Sequence, residues 1–218
     1  MSVARNSAAA RAAAIRAGAR LGGGGPEVRR AASEAARWEH GAAGEEATVR
    51  LLRPLHRWGW LRRLLGRPVW VVRHDLRLHG RHFNVDHLLV SPCGTGLVVL
   101  DTKNWRRGRG GETKLVGGRV CCGTDDRHGQ IEKVAEYARL VEVAVGVPGV
   151  SVQPLVVVHG SRIPGGHLTA PVPGGSVLVV GTDWLVPTLA AAVRGRDPRR
   201  AAALAARVDQ VLHPYINH

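Results

Sequence analysis

The chain has 218 residues and carries 31 Lys and Arg against 17 Asp and Glu, a formal charge of +14 at pH 7. That length suits one domain with a buried core, and that charge favours a polyanionic partner, either nucleic acid or an anionic membrane face. No apolar run approaches the roughly 18 residues of a membrane span, and the N-terminus lacks the compact apolar stretch of a secretory leader, so a cytoplasmic location is expected.

Residues 1–37 are rich in Ala and Arg and are interrupted by Gly22-Gly23-Gly24-Gly25-Pro26. Alanine favours helix, but few large apolar residues are present to dock one. The segment reads as a flexible or helical arm whose arginines either touch phosphate or are simply solvated. A helix is expected from Trp38, with Trp38, Ala42, Glu45, Val49 and Leu52 on one face. Glu45 falls on that stripe and Glu46 off it, so Glu45 is either a site residue or an acid complementing the helix N-terminus. Residues 53–68 interleave Arg53, His56, Arg57, Arg62, Arg63 and Arg67 with Trp58 and Trp60. Such a mixture binds phosphate and stacks bases, or else forms a solvated loop with its tryptophans in the core. Residues 69–72 suit a first strand, and residues 73–81 a polar ribbon or turn.

Residues 84–105 read NVDHLLVSPCGTGLVVLDTKNW. Two apolar runs flank Ser91-Pro92-Cys93-Gly94-Thr95-Gly96, which predicts a β-hairpin. The hairpin brings Asp86 and Asp101 to the same end of the ladder, and strand alternation places Asp101 and Lys103 on one face. Two carboxylates and an ammonium at the end of an apolar hairpin are costly unless a cation or a substrate uses them. Lys103 is one of three lysines against 28 arginines. A chain that so favours Arg yet places Lys there points to a compact, titratable cation. His87, inside the first strand, reads as a packed residue rather than a ligand.

The basic, Gly-rich segment Arg106-Arg107-Gly108-Arg109-Gly110-Gly111 follows and could lie along a nucleic-acid backbone. Residues 115–122 suit a further strand. Gln130, Val134, Tyr137 and Val141 form one face of a second helix, which Gly146-Val147-Pro148-Gly149 ends. Buried-type strands are expected at 152–159 and 177–180, and closing helices at 183–193 and 198–212. Cys93, Cys121 and Cys122 are odd in number and form no Cys-x-x-Cys, so they read as reduced, mostly structural thiols.

The order Asp, turn, Asp-x-Lys resembles the active site of the PD-(D/E)xK nucleases. With GEEATVRLL before it and GQIEKVAEYA after it, the wording is similar to the nuclease-related domain (NERD) family over residues 38–146, with a weaker likeness in PLVVVHG at 154–160. The resemblance implies an α/β fold with a restriction-endonuclease-like mixed central sheet flanked by helices. It implies one nuclease-related domain over 38–218, with a core at 38–146 and closing strands and helices over 147–218, after the arm of 1–37.

It also implies a metal-dependent nuclease acting on DNA. Asp86 and Asp101 would hold Mg²⁺, with Mn²⁺ as a substitute and a backbone carbonyl, by position that of Thr102, beside them. Lys103 would stabilise phosphoryl charge or orient water. Glu45, whose Gly44-Glu45 matches the family's Gly-Glu, would complete the metal's shell, and Gln130 would position water or phosphate. Val85 stands where the superfamily name has Pro, a replacement the family tolerates. Arg53, Arg57, Arg62, Arg63, Arg106, Arg107 and Arg109 are the expected nucleic-acid contacts. Two alternatives stay open: a non-cleaving nucleic-acid-binding module of the same fold, and an Arg-rich protein that docks a partner or an anionic surface.

Overall fold

The computed structural model describes residues 12–17, 26–56, 69–78, 83–105, 111–193 and 195–214, without the side chains of 26–28 and 37. After a short helical segment at 12–17, helix α1 runs over Pro26–His56. Strands β1 (Val71–Leu78), β2 (Asn84–Val90) and β3 (Gly96–Asn104) follow, then β4 (Thr113–Val116), β5 (Arg119–Cys122) and β6 (Asp125–Asp126). Helix α2 (His128–Val145) leads into β7 (Ser151–His159), β8 (His167–Val172) and β9 (Gly175–Gly181). Helices α3 (Thr182–Ala191) and α4 (Pro198–Val211) and strand β10 (Leu212–Pro214) complete the order.

The main sheet has seven strands in the order β10-β1-β2-β3-β7-β9-β8. β3, β7 and β9 are parallel, and the other pairs are antiparallel, so the sheet is mixed. Alternation along β3 divides the core. Leu97 and Val99 pack with Val141 and Val145 of α2 and Leu204 and Val208 of α4, while Val98 and Leu100 pack with Leu52 and Leu55 of α1 and Leu185 and Leu189 of α3. The fold is α/β, a mixed central sheet flanked by helices on both faces, of the restriction-endonuclease-like kind. A small antiparallel sheet, β4-β5-β6, packs beside α2 through Val120 and Cys122.

Several expectations shift. α1 begins at Pro26, ahead of the expected start at Trp38; proline suits a first helical position because the N–H it lacks would be unpaired there. Its buried line passes through Gly44, Thr48, Leu52 and Leu55, one position off the expected stripe, so Val49 is only partly buried and Glu45 stands at the edge. The expected polar ribbon at 73–81 is largely β1. Its polar residues have partners there, Arg73 a bidentate pair with Asp209 of α4 at 2.8 Å and His74 a ring contact with His87. The strand expected at 115–122 is the hairpin β4–β5, turned by Gly117 and Gly118 at φ 55 and 78, the positive values such a two-residue turn requires. Strand β8 was not expected. Cys93, Cys121 and Cys122 form no disulfide among the described residues, and His87 is buried as expected, 2% exposed. No helix among the described residues is long and apolar enough to cross a membrane.

Candidate functional site

The paired stretch of β2 with β3 ends at His87–Leu100. Beyond it the Asp86 carboxylate takes over from the backbone: the Thr102 N–H donates to Asp86 Oδ2 at 2.8 Å. The side chain thus ties the start of β2 to the last residues of β3, where Asp101, Thr102, Lys103 and Asn104 follow one another. Asp101 is buried, and Lys103 Nζ lies 2.7 Å from its Oδ2. Among the described residues that buried oxygen has no other hydrogen-bond partner, so the 2.7 Å ion pair with Lys103 is what holds it.

An open cleft of about 820 Å³ lies at this end of the sheet, lined by Glu45, Asp86, Thr102, Lys103, Asn104 and Gln130 among others. α1 and α2 lie on opposite faces, so only past the strand ends can residues of both reach one space. Four of the five residues expected to act, Glu45, Asp86, Lys103 and Gln130, line it; Asp101 sits behind Lys103. Burial, then the charges of Asp101 and Glu45, push the Asp86 carboxyl well above the usual carboxylate range, against the smaller opposing pull of Lys103. Burial alone would lower the Lys103 ammonium, but Asp101 and Asp86 outweigh it and hold it above its ordinary value. Around Asp86 the charges of Asp101 and Glu45 outweigh that of the Lys103 ammonium. Among the described residues, no group of three or more His, Cys, Asp or Glu side chains stands ready to hold a metal ion.

Gln130 is oriented by Trp105, whose indole N–H donates to Gln130 Oε1 at 3.1 Å, which leaves the amide NH₂ as the donor group of that side chain. Asn104 donates to the His40 carbonyl at 2.8 Å and so ties α1 to β3. Sequence reading missed several lining residues. Ser33 and Glu34 lie in the segment read as an arm, and Arg127 precedes α2. Arg127 donates to Asp125 at 2.8 Å, and its buried Nε has no hydrogen-bond partner among the described residues. Of the arginines expected to meet nucleic acid, Arg53 is exposed in the last turn of α1, while Arg57, Arg62, Arg63, Arg106, Arg107 and Arg109 lie outside the described residues.

A hydrogen-bonded chain holds α1 against the site strand. Thr48 Oγ1 donates to the Gly44 carbonyl at 3.2 Å, and Thr102 Oγ1 donates to Thr48 Oγ1 at 3.0 Å. With both hydroxyl protons committed, His159 Nε2–H donates to Thr48 (2.8 Å) and His87 Nε2–H to Thr102 (3.3 Å). His87 Nδ1 then accepts from His74 Nδ1–H at 2.9 Å. The chain ends on the carbonyl one residue before Glu45, so it sets the depth at which Glu45 meets the cleft. Gly44 leaves no slack: a Cβ there would come within 3.0 Å of Asn104 and 3.3 Å of Thr102.

The family profile of the nuclease-related domain, NERD, matches residues 40–159, more than half of the chain. The chain belongs to the NERD family. No curated protein and no solved structure matches it. The NERD match takes in Glu45, Asp86, Asp101, Lys103 and Gln130, together with all the threonines and histidines of the hydrogen-bonded chain, His159 being its last residue. Ser33 and Glu34 of the cleft wall fall before it, and everything from Gly160 onward falls after it.

Proposed function

We propose that this NERD protein is a metal-dependent nuclease that hydrolyses phosphodiester bonds in DNA. The observation that carries this reading is the convergence of Glu45, Asp86, Lys103 and Gln130, from α1, β2, β3 and α2, on one cleft with Asp101 behind it. Asp86 and Asp101 would hold Mg²⁺ or Mn²⁺, and Glu45 would add negative charge near it. Two hard oxygen donors suit Mg²⁺, which usually takes one or two carboxylates and fills its other positions with water and phosphate oxygens. The repulsion of Asp86 by Asp101 and Glu45, which helps to push its carboxyl up, favours a cation at this place. When bound, the metal supplies charge for the phosphoryl oxygens and lowers the pKa of water.

The chain's own groups supply the rest. Lys103 carries a fixed positive charge toward the phosphoryl group, held in place by Asp101. The Gln130 amide donates to water or phosphate, and the Arg127 guanidinium provides a second cation on the cleft wall. The competing reading, a DNA-binding module that does not cleave, draws on the lack of a ready three-ligand group among the described residues.

Incubation with labelled DNA in Mg²⁺, Mn²⁺ or EDTA separates the two. The nuclease reading expects cutting that EDTA stops and that added Mg²⁺ restores; uncut DNA bound equally well in all three conditions would establish the binding module. Either reading expects salt-sensitive binding, because a net charge of +14 neutralises phosphates. On duplex DNA the log–log slope should approach −0.9 per phosphate contact. A flat response would remove nucleic acid as the partner.

A further inference from the structure

A second cleft lies near the candidate active cleft. The parallel strands β3, β7 and β9 stop at a common edge, where Lys103 faces Val158 and Val158 faces Gly181 across the ladders. Past that edge the second cleft, open and of about 830 Å³, is lined by Val158, Gly160, Arg162, Asp183 and Trp184 among others. Gly160, in the wall of this second cleft, packs against the wall of the first. Its φ is +77, and a Cβ there would run into the carbonyl of Trp105, which lines the first cleft. The carboxyl ends of parallel strands are where α/β sheets take ligands.

Trp184 has no role in the core. It stands in the first turn of α3 and is 46% exposed, whereas Trp70 and Trp105 are buried. The ring is nonetheless fixed. It lies on Gly166, where any Cβ would collide with the indole, and the His167 ring sits 5.5 Å away at 45°. A rigid, exposed aromatic face in a cleft wall is a surface on which another flat ring can stack. The surrounding charges sort its occupant. The Arg162 side chain, 76% exposed and paired only at 3.7 Å with Glu112, can turn to a phosphate. Asp183, beside Trp184, repels a phosphate at the ring but can accept a hydrogen bond from a base N–H, the N3–H of thymine included.

We propose that a DNA strand held in the candidate active cleft continues along the strand ends and stacks an unpaired base on Trp184, with Arg162 at a neighbouring phosphate. This rests on the nuclease reading of the first cleft and makes single-stranded DNA the substrate class. The platform lies wholly beyond the segment matched by the family profile.

The test is binding of fluorescein-labelled oligothymidine, and of an abasic strand of equal length and charge, to the full chain in EDTA. W184A should lose a factor of about 5 to 150 toward oligothymidine, the scale of base–aromatic stacking, and little toward the abasic strand. W184F should stay within a few-fold of the parent. Oligothymidine should also quench tryptophan emission in the parent more than in W184F, which gives a readout should W184A prove unstable. Equal binding of the two strands by the parent, unchanged binding by W184A, or equal quenching in W184F would overturn the platform. Because nothing in this readout requires cleavage, a protein that cuts normally yet shows no base dependence loses only the platform. One that never cuts, yet shows the full Trp184 effect, loses only the nuclease reading.

Discussion

Asp86→Asn and Asp101→Asn should each lower Mg²⁺-dependent cleavage of DNA on the order of 10²-fold or more, the scale of removing one electrostatic group from a shielded site. Asparagine is the informative replacement at Asp86, because its carbonyl oxygen can still accept the Thr102 N–H; alanine would leave that buried donor unpaired, at a cost of about 1–3 kcal/mol. Binding measured in EDTA should persist, since neither change removes a cation that could meet phosphate. Without metal, Asp86→Asn should melt higher than the parent near pH 7. The Asp86 carboxyl is raised in the folded protein, so its proton is held over a window above the ordinary carboxylate value, and stability is lost as pH climbs through that window. The variant should lack this loss. Added Mg²⁺ should raise the parent's Tm by linkage and leave that of Asp86→Asn unmoved. Lys103→Arg should keep DNA binding yet lose most cleavage, because a planar guanidinium cannot take the ammonium's place 2.7 Å from Asp101. Should Lys103→Arg and Asp101→Asn, purified alike, cut as fast as the parent, the activity belongs to something else.

The parts of this molecule legible in its sequence are those fixed by short-range pattern. The hairpin of β2 and β3 shows through two apolar runs and a Pro/Gly turn, and α2 through its apolar spacing and the Gly146 cap, which is left-handed at φ 57. The Asp86, Asp101 and Lys103 grouping follows from the hairpin alone. What stayed hidden depends on partners distant in sequence. β1 looks too polar for a strand until Asp209 pairs with Arg73 and His87 with His74. Ser33 and Glu34 read as part of a tail because nothing local shows that α1 extends past the cleft. The Gly117-Gly118 turn carried a usable signal, since adjacent glycines between β-rich runs mark a two-residue hairpin turn. Thr48 and Thr102 gave no signal, because a buried hydroxyl network becomes visible only when two elements meet.

That network makes a second large effect, in stability against acid. Burial, then His56 and Arg73, lower the His74 pKa to about 4, and burial, then His74 and His159, lower that of His87 to about 3. Both rings are neutral in the fold, and protonating His87 Nδ1 would remove the acceptor that His74 uses. Since both values are depressed, the stabilisation is complete above the unfolded value of 6.5 and is lost as pH falls toward 4 and then 3. Moving from pH 7.5 to 5.0 costs about 2 kcal/mol for each such histidine, roughly 4 kcal/mol for the pair, against a typical total of about 5–15 kcal/mol. His56 and His159, also lowered by burial, act in the same direction, whereas the raised Asp86 opposes them. Urea unfolding of the parent and of His74→Gln at the two pH values removes the terms they share. The variant should lose about 2 kcal/mol less than the parent over that interval. Because the hydrogen-bonded chain runs on through Thr102 and Thr48 to the carbonyl beside Glu45, acid should also release α1 from β3. Amide exchange at Thr48 should therefore accelerate between pH 7.5 and 5.0 in the parent, corrected for the intrinsic pH dependence of exchange. Identical pH dependence in parent and variant would mean that His74 is not held neutral in the fold.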